Sequence, residues 1–405
     1  MKVAAIISEY NPFHNGHKLQ IKKTREKYDV DYIIAIMSGQ FTQRGIPSIL
    51  NKYQKTYTAL NNGVDLVIEL PTAFSTSSAE YFAAAGVHIA NNLGIVDYLS
   101  FGTEHDNIED LSKIASLLST EDASFSEQLK KFLQEGNSFP KARELAISSI
   151  YTDISDSILS QPNNILAIEY IKALLRSDSS VKPVNIIRNT SAHNSISSDS
   201  PICSSYAIRE KLFSSGINDS IINNIPSETY NLLRQTYTDN CHPLECNDFS
   251  SFLQYKLLEC NNDDFIKYYD VSEALSNKIK NSIPDYTIYD EYTKILKSKE
   301  LTHSRISRAL LHILLNIDYQ PDCKDLYINI LGFNSNAKEL LNKIKRNSTL
   351  PIISKNSNYQ KLLNSNSSRK LFETDIFAYQ LYNAAFYSKN RIKLNNIFKE
   401  SPIIL

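Results

Sequence analysis

Two histidines three residues apart, His14 and His17, bracket Gly16 in the run Asn11-Pro12-Phe13-His14-Asn15-Gly16-His17. The chain has 8 His and 10 Gly among 405 residues, and at that composition an H-x-G-H run arises by chance with a probability of roughly 0.004. A chemical reason is therefore worth seeking. Positions i and i+3 of a helix share a face, so both imidazoles can donate hydrogen bonds to phosphate oxygens as charge builds on a leaving pyrophosphate. The first turn of a helix adds unpaired N–H groups and the positive end of its dipole. Gly16 leaves room for a base or ribose to approach the backbone. Two other readings stand beside this one. A zinc site would want a third ligand and, in the helical metalloprotease pattern, an i,i+4 pair with Glu. A purely structural pair would cap the helix. Neither G-x4-G-K-[ST] nor G-x-G-x-x-G occurs in the chain, which leaves the P-loop and dinucleotide routes without support.

The elements around the motif follow from apolar patterning. Val3 to Ser8, Asp31 to Ser38, Asp65 to Leu70 and Val96 to Phe101 are short runs rich in Val, Ile and Leu, bounded by turn signals, and read as strands. Helices fit the gaps. Ser77-Ser78-Ala79-Glu80 reads as a capping box opening a helix that stops at Gly94. A helix from Asn163 to Arg176 leads to a fifth strand, Lys182 to Arg188, after which the alternation ends. Near-continuous apolar strands separated by helices imply a parallel sheet covered on both faces, an α/β nucleotide-binding architecture. From about residue 216 the pattern is helical. Ile306, Ala309, Leu310, Ile313 and Ile317 form one apolar face, while Arg305, Arg308 and His312 share another that reads as solvated or as a nucleic-acid contact.

Composition narrows the class. Ten glycines exclude collagen-like and Gly-linker sequences, and 42% hydrophobic residues with 24 Tyr and 17 Phe exclude disorder. Seven of the ten glycines lie in the first 102 residues. Cys203, Cys241, Cys246, Cys260 and Cys323 show no pairing pattern and read as reduced thiols, and Cys241-His242-Cys246 is too loose for a convincing zinc set. With no signal-type h-region and no run of 18 apolar residues, a cytoplasmic protein without a membrane span is expected. The net charge of −1 hides an asymmetry: residues 291–405 hold 18 basic and 9 acidic residues, leaving 25 and 35 for residues 1–290. A basic C-terminal part suits a polyanion, although a lysine-rich solvated surface has the same composition. The stretch Asn334 to Ser368 reads as a loop-rich, polyanion-facing surface that includes Lys343, Lys345 and Arg346.

Glu9 to His17, Met37-Ser38-Gly39-Gln40-Phe41-Thr42-Gln43-Arg44-Gly45, Gly63-Val64-Asp65-Leu66-Val67-Ile68-Glu69-Leu70-Pro71, Phe101-Gly102-Thr103-Glu104 and Pro162-Asn163-Asn164-Ile165-Leu166 resemble, in this order, the bacterial tRNA(Met) cytidine acetate ligase family. The resemblance is dense over residues 3–104, recurs in blocks to about residue 210 and is diffuse beyond. It implies a Rossmann-like HxGH nucleotidylyltransferase domain over residues 1–215, and a mainly α-helical, basic C-terminal domain over 216–405 that contacts tRNA. It also implies ATP-dependent activation of acetate as acetyl-adenylate, and acetyl transfer to N4 of the wobble cytidine of elongator tRNA(Met).

The site residues implied are His14 and His17 as catalytic, and for ATP the stretch Ile7, Ser8, Glu9, Tyr10, Asn11, Pro12, Phe13, His14, Asn15, Gly16, His17, Lys18, Leu19 and Gln20, together with Gly102, Asn163 and Arg188. ATP would come with Mg²⁺, and no protein-bound metal is expected. Gly102 at a strand end and Arg188 after the fifth strand suit a nucleotide; Asn163 suits it equally with a plain N-cap. Ser204 and Arg209 are expected at phosphate, and Arg305, Arg308, Lys343, Lys345 and Arg346 at tRNA. Two departures stand out: Tyr206 occupies the Thr position of the Ser-x-Thr-x-Ile-Arg element of related nucleotidylyltransferases, and Ile46 follows Gly45 where an acidic residue is expected. Adenylation of a small phosphorylated metabolite is the rival enzymatic reading. An ATP- or RNA-binding scaffold, suggested by Tyr206, is the non-enzymatic one.

Overall fold

A computed structural model describes the chain except for residues 121, 152–155, 189–203, 239–240, 261–264 and 299–300. Cys203 therefore lies outside the described residues. β1 (Val3–Ser8), β2 (Tyr32–Ser38), β3 (Leu66–Leu70), β4 (Tyr98–Thr103) and β5 (Lys182–Ile187) form within two residues of their expected ends. They run parallel in the order β5-β4-β1-β2-β3. Their near-continuous apolar character is explained by burial on both faces. Ala5, Ile7, Ile34 and Ile36 enter one core, while Ala4, Ile6, Ile33, Ala35 and Met37 enter another on the opposite side.

Helices α1 (Asn15–Tyr28), α2 (Lys52–Asn61), α3 (Ala79–Asn92), α4 (Pro162–Arg176) and α5 (Ser205–Ser215) accompany these strands. The capping box expected at the start of α3 does not form. Ser78, not Ser77, is the N-cap and makes no side-chain cap bond. Glu80 is drawn away to Lys172 and Arg176 of α4, each 3.0 Å distant. The stop at Gly94 does form: its φ of +68° is left-handed, and a Cβ there would lie 2.8 Å from the Asn347 carbonyl oxygen.

The C-terminal part is mainly helical, as expected, yet it also supplies strands. β6 (Ile328–Phe333) pairs antiparallel with β3, and β7 (Ile352–Ile353) and β8 (Ile403–Ile404) pair with β6. One sheet thus crosses the expected boundary at residue 215, and the larger core runs from Val3 to Ile397. The sequence hides β6 because its apolar run is broken by Asn329. That side chain is buried, and its Nδ2 donates to Glu69 Oε2 at 2.7 Å. Lys52 donates to the same carboxylate at 2.7 and 2.8 Å, closing a fully buried ion pair. Gly39 makes the room, since a Cβ on it would lie 2.5 Å from Glu69 Oε1.

Helix α6 (His303–Leu314) buries its predicted apolar stripe. Its Arg/His stripe is not one face in the folded protein. His312 is fully buried, with Nδ1 3.0 Å from the Tyr269 carbonyl and Nε2 3.0 Å from Thr76 Oγ1. Burial pushes its pKa down to about 4. Within the segment expected to be loop-rich, Lys338–Asn347 forms α7, which connects the parallel strands β6 and β7. Its Asn and Lys content masks a strongly amphipathic helix that buries Leu340 and Ile344. Helix α8 (Asn366–Asn390) packs on the turn after β3, where buried Asp375 accepts from the Thr72 amide at 2.6 Å.

Candidate active site

At the C-terminal ends of β1 and β4, where the strand order reverses and open α/β sheets bind ligands, lies a cavity of about 220 Å³. The chain leaves β1 through a sharp bend: Tyr10 is buried with φ +47°, and the Asn11–Pro12 peptide is cis. Three groups pin the bend. Asn11 Oδ1 accepts from the Ile49 amide at 2.9 Å, Arg209 Nη1 donates to the Asn11 carbonyl at 2.7 Å, and Lys55 Nζ donates to the Glu9 carbonyl at 3.0 Å. Lys55 is fully buried, which lowers its pKa to about 7.

The two histidines do cap α1, and that decides their chemistry. His14 is the N-cap, its Nδ1 accepting from the Gly16 amide at 3.0 Å; His17 Nδ1 accepts from the His14 amide at 3.2 Å. Reciprocal side-chain capping of this kind is usually made by Ser or Thr with Glu. With Nδ1 an acceptor in both rings, the neutral tautomer carries its proton on Nε2, and Nε2–H is the donor each ring offers to the cavity it lines. The rings stack at 3.7 Å between centroids, 22° from parallel. Burial, then the Arg188 charge, pushes His14 down to about 3. Burial, His14 and Arg188 hold His17 well below its usual value of 6.5. Both rings are uncharged donors at neutral pH.

Cations face them. Arg188, just past β5, lies across Gly102 of β4, where a Cβ would meet its Cδ at 2.9 Å. Among the described residues its buried Nε has no hydrogen-bond partner, and burial lowers its pKa. Arg209 on α5 is likewise buried and lowered for the same reason. The N-terminus of α5, capped by Ser204 Oγ on the Ala207 amide at 3.2 Å, opens on the cavity, with Ser204, Ser205 and Tyr206 on its wall. A half-buried guanidinium whose Nε has no hydrogen-bond partner among the described residues, two neutral N–H donors and a helix N-terminus together make a site that fits a polyphosphate.

Of the residues expected at ATP, Ile7, Ser8, Glu9, Tyr10, His14, His17, Gln20, Gly102, Asn163 and Arg188 line this cavity, as do Ser204 and Arg209. Asn11, Pro12, Phe13, Asn15, Gly16, Lys18 and Leu19 are not among its lining residues; Phe13 is buried in the smaller core, and Asn15 Nδ2 donates to the Asn223 carbonyl at 2.9 Å. Asn163 is not an N-cap, a place held by Gln161; instead its amide donates to Glu104, while Asn164 Oδ1 takes the Glu104 and His105 amides at 3.0 and 3.1 Å. That clamp ties β4 to α4. The lining residues that sequence reasoning missed include Gln43, Arg44, Phe82, Phe101, Leu166, Tyr170 and Tyr206 as a wall residue. Phe82 and Tyr170 come from faces of α3 and α4 to which the sequence reading assigned no role, and Gln43 and Arg44 sit inside a family block that carried no assigned chemistry.

The five cations expected at tRNA fall in two places. Gly45, with φ +71°, abuts α6 so closely that a Cβ would lie 2.6 Å from the Arg308 amide nitrogen; Arg305 and Arg308 therefore stand beside the turn carrying Arg44. Arg308 Nε donates to Asp270 at 2.8 Å, and Arg305 Nε is 3.8 Å from the same carboxylate. Lys343, Lys345 and Arg346 are elsewhere. The end of α7 packs on Gly94, in the loop entering β4, and Lys343 shares a shallow cleft with Met1, Gly94 and Asp97. That is the end of the sheet opposite the cavity. Among the described residues, no three His, Cys, Asp or Glu side chains gather to hold a metal, and no helix is long and apolar enough to cross a membrane.

A family model described as HIGH Nucleotidyl Transferase matches residues 1–396. The chain is 41% identical over 394 residues to the tRNA(Met) cytidine acetate ligase of Thermoanaerobacter sp. strain X514, covering 95% of this chain and 96% of that one. It is 36% identical to the enzyme of the same name from Clostridium perfringens strain SM101, with full coverage of both. Its fold superposes on the crystal structure of Thermotoga maritima TmcAL bound with alpha-thio ATP, with a TM-score of 0.90, 28% identity and full coverage of both chains. With motif, cavity and full-length likeness in agreement, the chain belongs to the tRNA(Met) cytidine acetate ligase family of HIGH nucleotidyl transferases.

Proposed function

We propose that this protein is an ATP-dependent ligase that acetylates N4 of the wobble cytidine of elongator tRNA(Met). The observation that carries the reading is the pair of neutral Nε2–H donors of His14 and His17 sharing one cavity with Arg188, whose buried Nε has no hydrogen-bond partner among the described residues. An acetate oxygen attacks the α-phosphorus of ATP, the bond from that phosphorus to the bridging oxygen breaks, and pyrophosphate leaves. Acetate is already ionised, so this step needs positioning and charge stabilisation rather than a base. Imidazoles that stay neutral hydrogen-bond to the developing charge without first surrendering a proton to it. The cytidine N4 then attacks the acetyl carbon, the C–O bond to AMP breaks, AMP departs, and N4 loses one proton.

In this reading ATP is held by the stretch Ile7 to Gln20 with Gly102, Asn163 and Arg188, while Ser204 and Arg209 attend the phosphates. Mg²⁺ enters on the nucleotide. Residues 1–215 carry the chemistry and 216–405 carry the tRNA, with Arg305 and Arg308 close to the reacting end and Lys343, Lys345 and Arg346 on a distant part of the same tRNA. The reading places the protein in the cytoplasm, where its substrate is made.

The test is incubation of purified protein with ¹⁴C-acetate, ATP, Mg²⁺ and elongator tRNA(Met). Label is expected on tRNA with stoichiometric AMP and pyrophosphate. A product that keeps AMP, or folded protein that leaves tRNA unlabelled, would sink the reading.

A further inference from the structure

The residue that departs from the phosphate element of related enzymes has an unusual setting. Tyr206 stands on the first turn of α5, in the cavity wall, yet remains 48% exposed. Two guanidinium groups flank its ring: that of Arg44 at 5.9 Å from the centroid and that of Arg209 at 6.0 Å. The two differ in kind. Arg209 is buried and committed to the Asn11 carbonyl, whereas Arg44 is exposed at the rim.

Arg44 is presented by a rigid turn. Glu9 Oε1 accepts from the Gln43 amide at 2.6 Å, the Thr42 amide donates to the Ile46 carbonyl at 3.0 Å, and Gly45 is wedged against α6. An exposed aromatic face beside a fixed, exposed guanidinium is how proteins receive an unpaired nucleobase: the ring supplies stacking area, and the arginine meets a phosphate or a base oxygen. The location agrees. Tyr206 lines the cavity holding His14, His17 and Arg188, and the turn that carries Arg44 beside its ring abuts α6, the helix of Arg305.

We infer that Tyr206, with Arg44, forms the platform on which the acceptor nucleobase of the polynucleotide stacks, setting its exocyclic amine against the acyl group in the cavity. The inference rests on the proposed acetyl transfer. A base modified at its edge must leave its own stack, and an aromatic partner offsets that loss. An enzyme whose acceptor is a small phosphorylated molecule has no such need, which gives a physical reason for a phenol where related enzymes have a threonine methyl and hydroxyl.

Tyr206→Ala, Tyr206→Thr and Tyr206→Phe separate the roles when two reactions are followed: acetate-dependent pyrophosphate release without tRNA, and transfer of ¹⁴C-acetyl to tRNA. Stacking on one base is worth a factor of about 5 to 150. Tyr206→Ala and Tyr206→Thr are expected to lose at least about tenfold in kcat/KM for tRNA, mainly through KM, while Tyr206→Phe stays within about twofold. Because Tyr206 also lines the cavity, the KM for ATP in pyrophosphate release is followed alongside, the loss against tRNA being expected to exceed any change in it, and thermal melts report that the variants are folded. An unchanged KM for tRNA in Tyr206→Ala overturns the inference. So does a matching rise in the KM for ATP, which would assign the ring to the nucleotide. Wild-type protein that releases pyrophosphate but labels no tRNA removes the proposed transfer and this inference together. Wild-type labelling matched by Tyr206→Ala removes the inference alone.

Discussion

The cavity at the exits of β1 and β4 and the basic helix α7 lie at opposite ends of one sheet, and they use positive charge in opposite ways. At the cavity, Arg209 is buried and held on the Asn11 carbonyl, Lys55 is buried under the bend that enters it, and the buried Nε of half-buried Arg188 has no hydrogen-bond partner among the described residues. On α7, Lys343 pairs with Glu339 at 3.2 Å on the surface, and Lys345 and Arg346 are exposed. Desolvated donors in a preorganised array act strongly on charge that develops within a few ångströms. Solvated lysines act on any polyanion, weakly and in a salt-dependent way. The first arrangement can distinguish a transition state from a ground state; the second can only add affinity.

The largest test of that contrast is His17→Ala. Removing one preorganised donor costs about 10²–10³ in rate, so pyrophosphate release should fall by that factor while tRNA affinity, measured by filter binding, stays within about twofold. Loss of both together would mean that the two ends are coupled.

A smaller effect is expected from pH. Because the folded protein holds His14 at about 3, pyrophosphate release should not fall as pH drops from 8 to 6, an interval in which Lys55, at about 7, gains the proton it uses to pin the bend. The folded pKa lies below the unfolded value of 6.5, so the unfolded chain takes up a proton that the folded one refuses. The contribution of His14 to stability is undiminished above pH 6.5 and falls as pH drops toward 3. A rate that falls with a midpoint near 6.5 as pH drops would show that the imidazoles take up protons in the working range, and thermal melts across the same range check the stability arm.

The smallest effect belongs to α7. Replacing Lys343, Lys345 and Arg346 by Gln should flatten the dependence of log tRNA affinity on log salt by about 2 and leave pyrophosphate release alone. Equal slopes would return the cluster to ordinary surface.

The same contrast explains what was legible in the sequence. The five parallel strands were readable because burial on both faces leaves an unbroken apolar run. The histidine pair was readable because a helix N-terminus tolerates few sequences. Two readings of that pair, cap and phosphate donor, looked like competitors until the rings were seen to cap through Nδ1 and leave Nε2 free. Phe82 and Tyr170 were missed because an aromatic on a helix face looks alike whether it meets core or ligand. β6 was missed because Asn329 interrupts it, and only Glu69, far away in sequence, accounts for that polar residue. Arg308 and His312 read as one surface stripe because periodicity reports direction but not what packs opposite.

That last strand pairing bears on how the protein is made. β3 and β6 are joined through Glu69 and Asn329, 260 residues apart. As the chain leaves the ribosome, β3 must wait as an open edge for most of synthesis while β1, β2 and β4 can already assemble. An unpaired apolar edge is a place where chains join one another, so the interval between the two strands is a window of vulnerability for the newborn protein. A stop codon near residue 215 would make that window permanent: the histidine motif would be intact, and the sheet beside it would be left to find a partner in another molecule.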